Sequence, residues 1–87
     1  MSLLCGTVEG NLWATKKSPA LVGQTFLVVR LNGSGDTLVC ADCVGAGEGE
    51  RVLIATGSAA RVAAGRDIPV DAAIVGIVDS KELGVRN

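Results

Sequence analysis

Two cysteines with a spacing that can do chemistry stand near the middle of the chain, in Cys40-Ala41-Asp42-Cys43. The spacing serves either a redox dithiol or half of a zinc site. A redox pair draws its reactivity from a helix N-terminus or a nearby cation, which lowers the thiol pKa. Here the pair falls at the end of an expected strand and before a loop. An odd separation along a strand sends two side chains to opposite faces. A structural zinc site takes four ligands, and beyond this pair the chain offers only Cys5 and no histidine. The expectation is that both thiols are small packing side chains, with no metal and no cofactor.

The next block, Gly45-Ala46-Gly47-Glu48-Gly49-Glu50, has the look of a phosphate loop. Its spacing is GxGxG, not GxGxxG, and no Gly-Lys-Ser/Thr follows. It precedes a strand, so no helix dipole would face a bound anion, and Glu48 and Glu50 would repel one. The glycines are better read as permitting tight turning or close backbone approach. Val44, Gly45, Ala46, Gly47 and Gly49 are therefore assigned to a structural turn. Glu48 and Glu50 also form a carboxylate pair by spacing, but nothing around them predicts the shielded pocket that would raise either pKa. Ser58 lies in Gly57-Ser58-Ala59, not in a GxSxG elbow. With no histidine and no tyrosine, acid–base and nucleophilic catalysis lack their usual residues. No catalytic residue is assigned and the chain is read as a non-enzyme.

The whole chain has 87 residues, with 8 Lys+Arg against 9 Asp+Glu and a formal net charge of -1. That length fits one domain, and the balance gives no long-range pull on nucleic acid or anionic lipid. Hydrophobic residues make up 48% of the chain but aromatics only 2%, namely Trp13 and Phe26. The core must be built from Val, Leu, Ile and Ala. So thin a core invites burial between copies of the chain. The start, Met1-Ser2-Leu3-Leu4-Cys5, has no secretory pattern, and no apolar run is long enough to span a bilayer. A cytoplasmic protein with no membrane partner is expected.

The elements follow from residue types. Leu3–Thr15 reads as a first strand region, with Gly6 and Gly10 as bends or bulges. Lys16–Gly23 is a loop around Ser18-Pro19. Gln24–Leu31 holds the strand-forming run Phe26-Leu27-Val28-Val29. Asn32-Gly33-Ser34-Gly35-Asp36 is a hairpin turn, and Thr37–Ala41 returns as a third strand. Arg51–Thr56 is a fourth. Ser58 is expected to cap a short helix over Ala59–Ala64, with Gly65 closing it. Pro69 resets the chain, and Val70–Asp79 is the fifth strand. Residues 1–80 make a single domain, and 81–87 a polar tail. The fold class is all-β: a small five-stranded antiparallel barrel with one short helix between strands four and five.

Small barrels of this kind also bind oligonucleotides. Such sites interleave stacking aromatics with basic residues. Two aromatics and the scattered bases Lys16, Lys17, Arg61 and Arg66 do not supply one, so nucleic acid is not an expected partner. A small binding module for oligonucleotide or anion is the alternative reading.

Several blocks taken together resemble one family. They are Gly6-Thr7-Val8, Lys17-Ser18-Pro19-Ala20-Leu21-Val22-Gly23, Asp42-Cys43-Val44-Gly45-Ala46-Gly47-Glu48-Gly49-Glu50, Gly57-Ser58-Ala59-Ala60-Arg61, and Pro69-Val70-Asp71 leading to Ile77-Val78-Asp79. Their joint order, from Leu3 to Asp79, resembles the bacterial microcompartment vertex proteins of carboxysomes and of ethanolamine- and propanediol-using compartments. Asn11-Leu12-Trp13-Ala14-Thr15 departs from the valine- and serine-rich strand end expected there. The resemblance implies a barrel related to the oligonucleotide-binding fold and assembly as a homopentamer. It implies a ring that caps the vertices of a polyhedral shell, with hexameric shell proteins as its partners. It further implies that Gly57, Ser58, Ala59, Ala60 and Arg61 lie at a subunit interface or a narrow axial opening. A competing role for Arg61 is an ion pair with an acidic residue such as Asp71, across or within subunits.

Overall fold

The computed structural model describes residues 3–13, 16–65 and 70–78. Five strands run in the order β1 (Leu3–Leu12), β2 (Phe26–Leu31), β3 (Thr37–Asp42), β4 (Arg51–Thr56) and β5 (Ala72–Ile77). One helix, α1 (Ser58–Ala64), joins β4 to β5, and a single 3-10 turn covers Pro19–Leu21. The strands close into a barrel in the spatial order β1-β2-β3-β5-β4. The tail, Pro69 and Asp79 lie outside the described residues.

Alternation of apolar side chains builds the interior. Val8, Leu27, Val29, Cys40, Val52, Ile54, Ala72 and Ile74 point inward and form the buried core, with Leu4, Leu31, Leu38 and Ala46 packed at its edges. The core contains no aromatic side chain. A second, smaller cluster lies outside the barrel wall. There Ala60 of α1 packs on Ala41, Val70 and Ala73, with Leu21, Phe26, Ala64 and Val75 around them. A helix of under two turns is not stable alone in water. This apolar footing holds α1 in place.

The barrel and the position of the helix match the expectation, but one seam does not. β3 and β5 pair in parallel, through Ala41 beside Ala73 and Asp42 beside Ile74. The other four strand pairs are antiparallel, so the barrel is mixed. The cause is connectivity. β5 pairs antiparallel with β4 along one edge, then meets β3 on the other edge running the same way.

β1 is long enough to serve two partners. Its first half pairs with β4 and its second half with β2. The register slips between Val8 and Gly10, leaving Glu9 as the extra residue of a bulge. Gly6 sits where β1 crosses β2. A Cβ there would lie 2.5 Å from Val29 Cγ1 and 2.7 Å from the Arg30 carbonyl oxygen. Only glycine allows the two strands to approach so closely.

Candidate functional site

The glycine-rich stretch and the turn into α1 are the two places that the sequence singled out. The first lies between β3 and β4 and has no regular structure, as its composition predicts. What shapes it is Asp42, the last residue of β3. One carboxylate oxygen of Asp42 accepts the backbone N–H groups of Val44 at 3.1 Å, Gly45 at 3.0 Å and Ala46 at 3.3 Å. The other accepts the Ala46 N–H at 3.1 Å. Gly45 makes this wrap possible by taking φ 79°. The far end of the loop is fixed in the same way. The Gly47 N–H donates to Glu50 Oε1 at 2.6 Å. The Gly49 N–H donates to the Val8 carbonyl at 2.8 Å, and the Val8 N–H to the Glu50 carbonyl at 2.9 Å.

This geometry answers the anion-binding alternative. Successive N–H groups folded around one point make an anion nest, and here the nest is filled by the chain's own carboxylate. A phosphate would have to displace a tethered acid already holding every donor. Sequence reasoning rejected a phosphate loop on spacing but did not identify Asp42 as its organiser. The available signal was an Asp followed at three residues by Gly, an arrangement that favours side-chain bonds to nearby amides.

Cys40 is the packing side chain that the sequence predicts, whereas Cys43 is not. Cys40 is fully buried in the core and Cys43 is exposed. Burial pushes the Cys40 thiol up to about 11. Cys43 is also raised, by burial first and then by the charge of Asp42. Both shifts oppose the lowered pKa that a redox thiol needs. Among the described residues, no three His, Cys, Asp or Glu side chains are placed to hold a metal ion.

At the turn into α1 the cap differs from the expectation. Gly57, not Ser58, occupies the cap position, with φ 67° and ψ -140°, and no side chain bonds to the helix start. Ser58 is already the first helical residue. The switch follows from the sharp turn out of β4, which needs a positive φ that serine adopts poorly. The Gly57 N–H donates to the Asp71 carbonyl at 2.9 Å, tying the helix start to the approach to β5. Gly65 closes the helix as expected, its N–H reaching the Arg61 carbonyl at 2.9 Å.

The five residues assigned here do not share one environment. Ala60 is wholly buried within the subunit, while Ser58 and Arg61 are exposed and Gly57 and Ala59 half-buried. Ala60 is thus the footing of the helix and does not reach the surface. Within the subunit Arg61 forms no ion pair with Asp71. The only salt bridge among the described residues joins Arg30 to Glu9. Nor do the aromatics make a stacking platform. Trp13 is 82% exposed at the end of β1, whereas Phe26 is half-buried in the cluster beneath α1. No helix among the described residues is long and apolar enough to cross a membrane.

Comparison with known proteins settles what such a barrel belongs to. Residues 3–79 match the family described as ethanolamine utilisation protein EutN/carboxysome. The chain is 46% identical over 83 residues to the bacterial microcompartment shell vertex protein GrpN of Rhodospirillum rubrum, covering 88% of this chain and 93% of that one. It is 45% identical to the carboxysome shell vertex protein CcmL of Thermosynechococcus vestitus, covering 88% and 80%. The solved structure of GrpN, a pentameric microcompartment shell protein, superposes with a TM-score of 0.78 at 41% identity, covering 87% of this chain and 93% of that one. The match spans every strand of the barrel and both singled-out segments, and the chain therefore belongs to the EutN/CcmL family of bacterial microcompartment shell vertex proteins.

Proposed function

We propose that five copies of this chain close into a ring that caps the vertices of a polyhedral protein shell in the cytoplasm, beside hexameric shell proteins of the same compartment. The observation that carries this reading is the superposition on a pentameric relative across nearly all of both chains. The physics of the single copy supports it. The core is aromatic-free, and Leu3, Val22, Val39, Val62 and Ile77 are each close to half exposed or more. A domain so thinly packed gains from burial between subunits. Six-fold tiles alone pave a flat sheet, and a five-fold unit supplies the curvature that closes it.

The chain is a structural protein and carries out no catalysis. In the ring, Gly57, Ser58, Ala59 and Arg61 face a neighbour or a narrow axial opening, where small side chains permit close approach. Ala60 serves them from beneath by seating the helix on Ala41 and Ala73.

The test is shell formation from co-expressed hexameric tiles with and without this chain, viewed by electron microscopy. The reading predicts closed, faceted shells only when the chain is present, and its recovery in purified shells. Closed shells of the same shape without it, or shells that exclude it, would contradict the reading.

A further inference from the structure

The hairpin between β2 and β3 turns at Asn32-Gly33, a pair suited to tight turns. Gly33 takes φ 92°. Two bonds close the turn. The Leu31 N–H donates to the Asp36 carbonyl at 2.7 Å, and the Gly35 N–H donates to the Leu31 carbonyl at 3.1 Å. A third ties it to β1, from the Asn32 N–H to the Cys5 carbonyl at 3.0 Å. None of the three uses the Asn32 side chain or the Gly33 N–H. Among the described residues, both of these groups lack a hydrogen-bond partner. Asn32 is exposed, and a Cβ built at Gly33 meets nothing within 4 Å.

Asparagine is among the thermolabile residues. Its side-chain carbonyl carbon can be attacked by the backbone nitrogen of the next residue. The attack needs a side chain free to rotate, a nitrogen not held by a hydrogen bond, and no side chain on the next residue to block the approach. Glycine meets the last condition because it has no Cβ. The turn meets the other two, since it is pinned at its ends and free at its centre. Asn11 is the internal contrast. It lies within β1, and Leu12 after it carries a branched side chain and pairs with Phe26 in the ladder.

We propose that Asn32 is a site of self-modification, at which the barrel converts its own asparagine to aspartate and isoaspartate with water as the only co-reactant. The Gly33 nitrogen gives up its proton to base and bonds to Asn32 Cγ. The Cγ–Nδ2 bond breaks, and the side-chain nitrogen leaves as ammonia. A five-membered imide remains. Water then opens it at one of two carbonyls. Opening at Cγ gives aspartate; opening at the backbone carbonyl gives isoaspartate, with the chain running through the side-chain carbons. Nothing is oxidised or reduced. Either product lowers the formal net charge of -1 by one unit and places a second acid beside the hairpin's Asp36. The isoaspartyl form also adds one backbone carbon inside the loop that the Gly35–Leu31 bond closes. A chain that stays long in an assembly therefore becomes more acidic at this tip. The proposal does not depend on the five-copy reading.

The test incubates the purified full chain at neutral and mildly alkaline pH, folded and in urea, and follows each asparagine by peptide mass spectrometry. Folded wild type is expected to gain the mass of an amide-to-acid exchange at residue 32 on the same timescale as the unfolded chain. Isoaspartate and aspartate should appear together, faster at the higher pH, with Asn11 unchanged in the folded chain. Asn32→Gln, whose side chain closes a larger ring far more slowly, should keep its circular dichroism and lose the acidic species on ion exchange. Conversion at residue 32 only after unfolding, or no faster there than at Asn11 in the folded chain, would overturn the proposal. So would an acidic species that forms equally in Asn32→Gln.

Discussion

The carboxylate of Asp42 accepts the backbone N–H of Gly45 at 3.0 Å, and through it the last residue of β3 dictates the path of the loop leading to β4. A charged acceptor with several amide donors is stronger than neutral pairs. Replacing Asp42 by alanine leaves the Val44, Gly45 and Ala46 amides without this partner. The half-buried Ala46, which packs on the core, cannot turn freely to water. Asp42→Ala is expected to destabilise the barrel by about 1–2 kcal/mol, with Asp42→Asn falling between it and wild type. Urea unfolding monitored by circular dichroism measures this directly.

Gly6 and Gly10 stand on the same strand but make opposite predictions. Alanine at Gly6 drives its methyl into Val29 Cγ1 and the Arg30 carbonyl. Gly10 has nothing within 4 Å of a built Cβ. Gly6→Ala is expected to cost about 1–3 kcal/mol, the range for overpacking a filled interior, while Gly10→Ala changes stability by about 0.5 kcal/mol or less, as for open surface sites. Thermal unfolding of the pair checks the contrast, and equal effects would contradict the close crossing of β1 and β2.

The thiols should separate in rate and in pH. Cys43 is exposed and Cys40 buried, so a maleimide or disulfide reagent is expected to label Cys43 first and Cys40 only on unfolding. The folded Cys40 thiol titrates at about 11 against an ordinary 9.0. A raised acid pKa means that the folded state holds its proton more tightly than the unfolded state. Its contribution to stability is therefore full below about pH 9 and is lost as pH rises toward 11. Denaturant midpoints across that window, compared with Cys40→Ala, isolate the effect.

Arg61 is exposed and unpaired with Asp71 within the subunit. Arg61→Ala should leave barrel stability within about 0.5 kcal/mol of wild type. If the side chain faces an axial opening, the assembled species persists unchanged in size-exclusion chromatography. Loss of assembly with the barrel still folded would instead make Arg61 an interface residue.

Much of the fold was legible because local signals agree there. Arg51–Thr56 begins and ends where its strand formers do, bounded by the glycine loop and Gly57. The Asn32–Asp36 turn and the Gly65 helix end follow from residues with strong backbone preferences. Boundaries moved where tertiary contacts decide. β5 starts at Ala72 and not at Val70, because Val70 turns into the cluster under α1 and the Asp71 carbonyl is taken by Gly57. The parallel meeting of β3 and β5 has no local signature at all, since it joins strands separated by the whole of β4 and α1. Asp42 was hidden for a related reason. Its neighbour Cys43 and the following glycines drew the reading toward thiols and phosphate, while the acid's reach back onto three amides depends on the loop's closed shape.

The central claim is that five copies of this barrel form one ring, and native mass spectrometry of the full chain across a concentration series tests it most directly. The account predicts a dominant five-subunit species that persists on dilution. A stable monomer at high concentration, or a ring of another number, would contradict it.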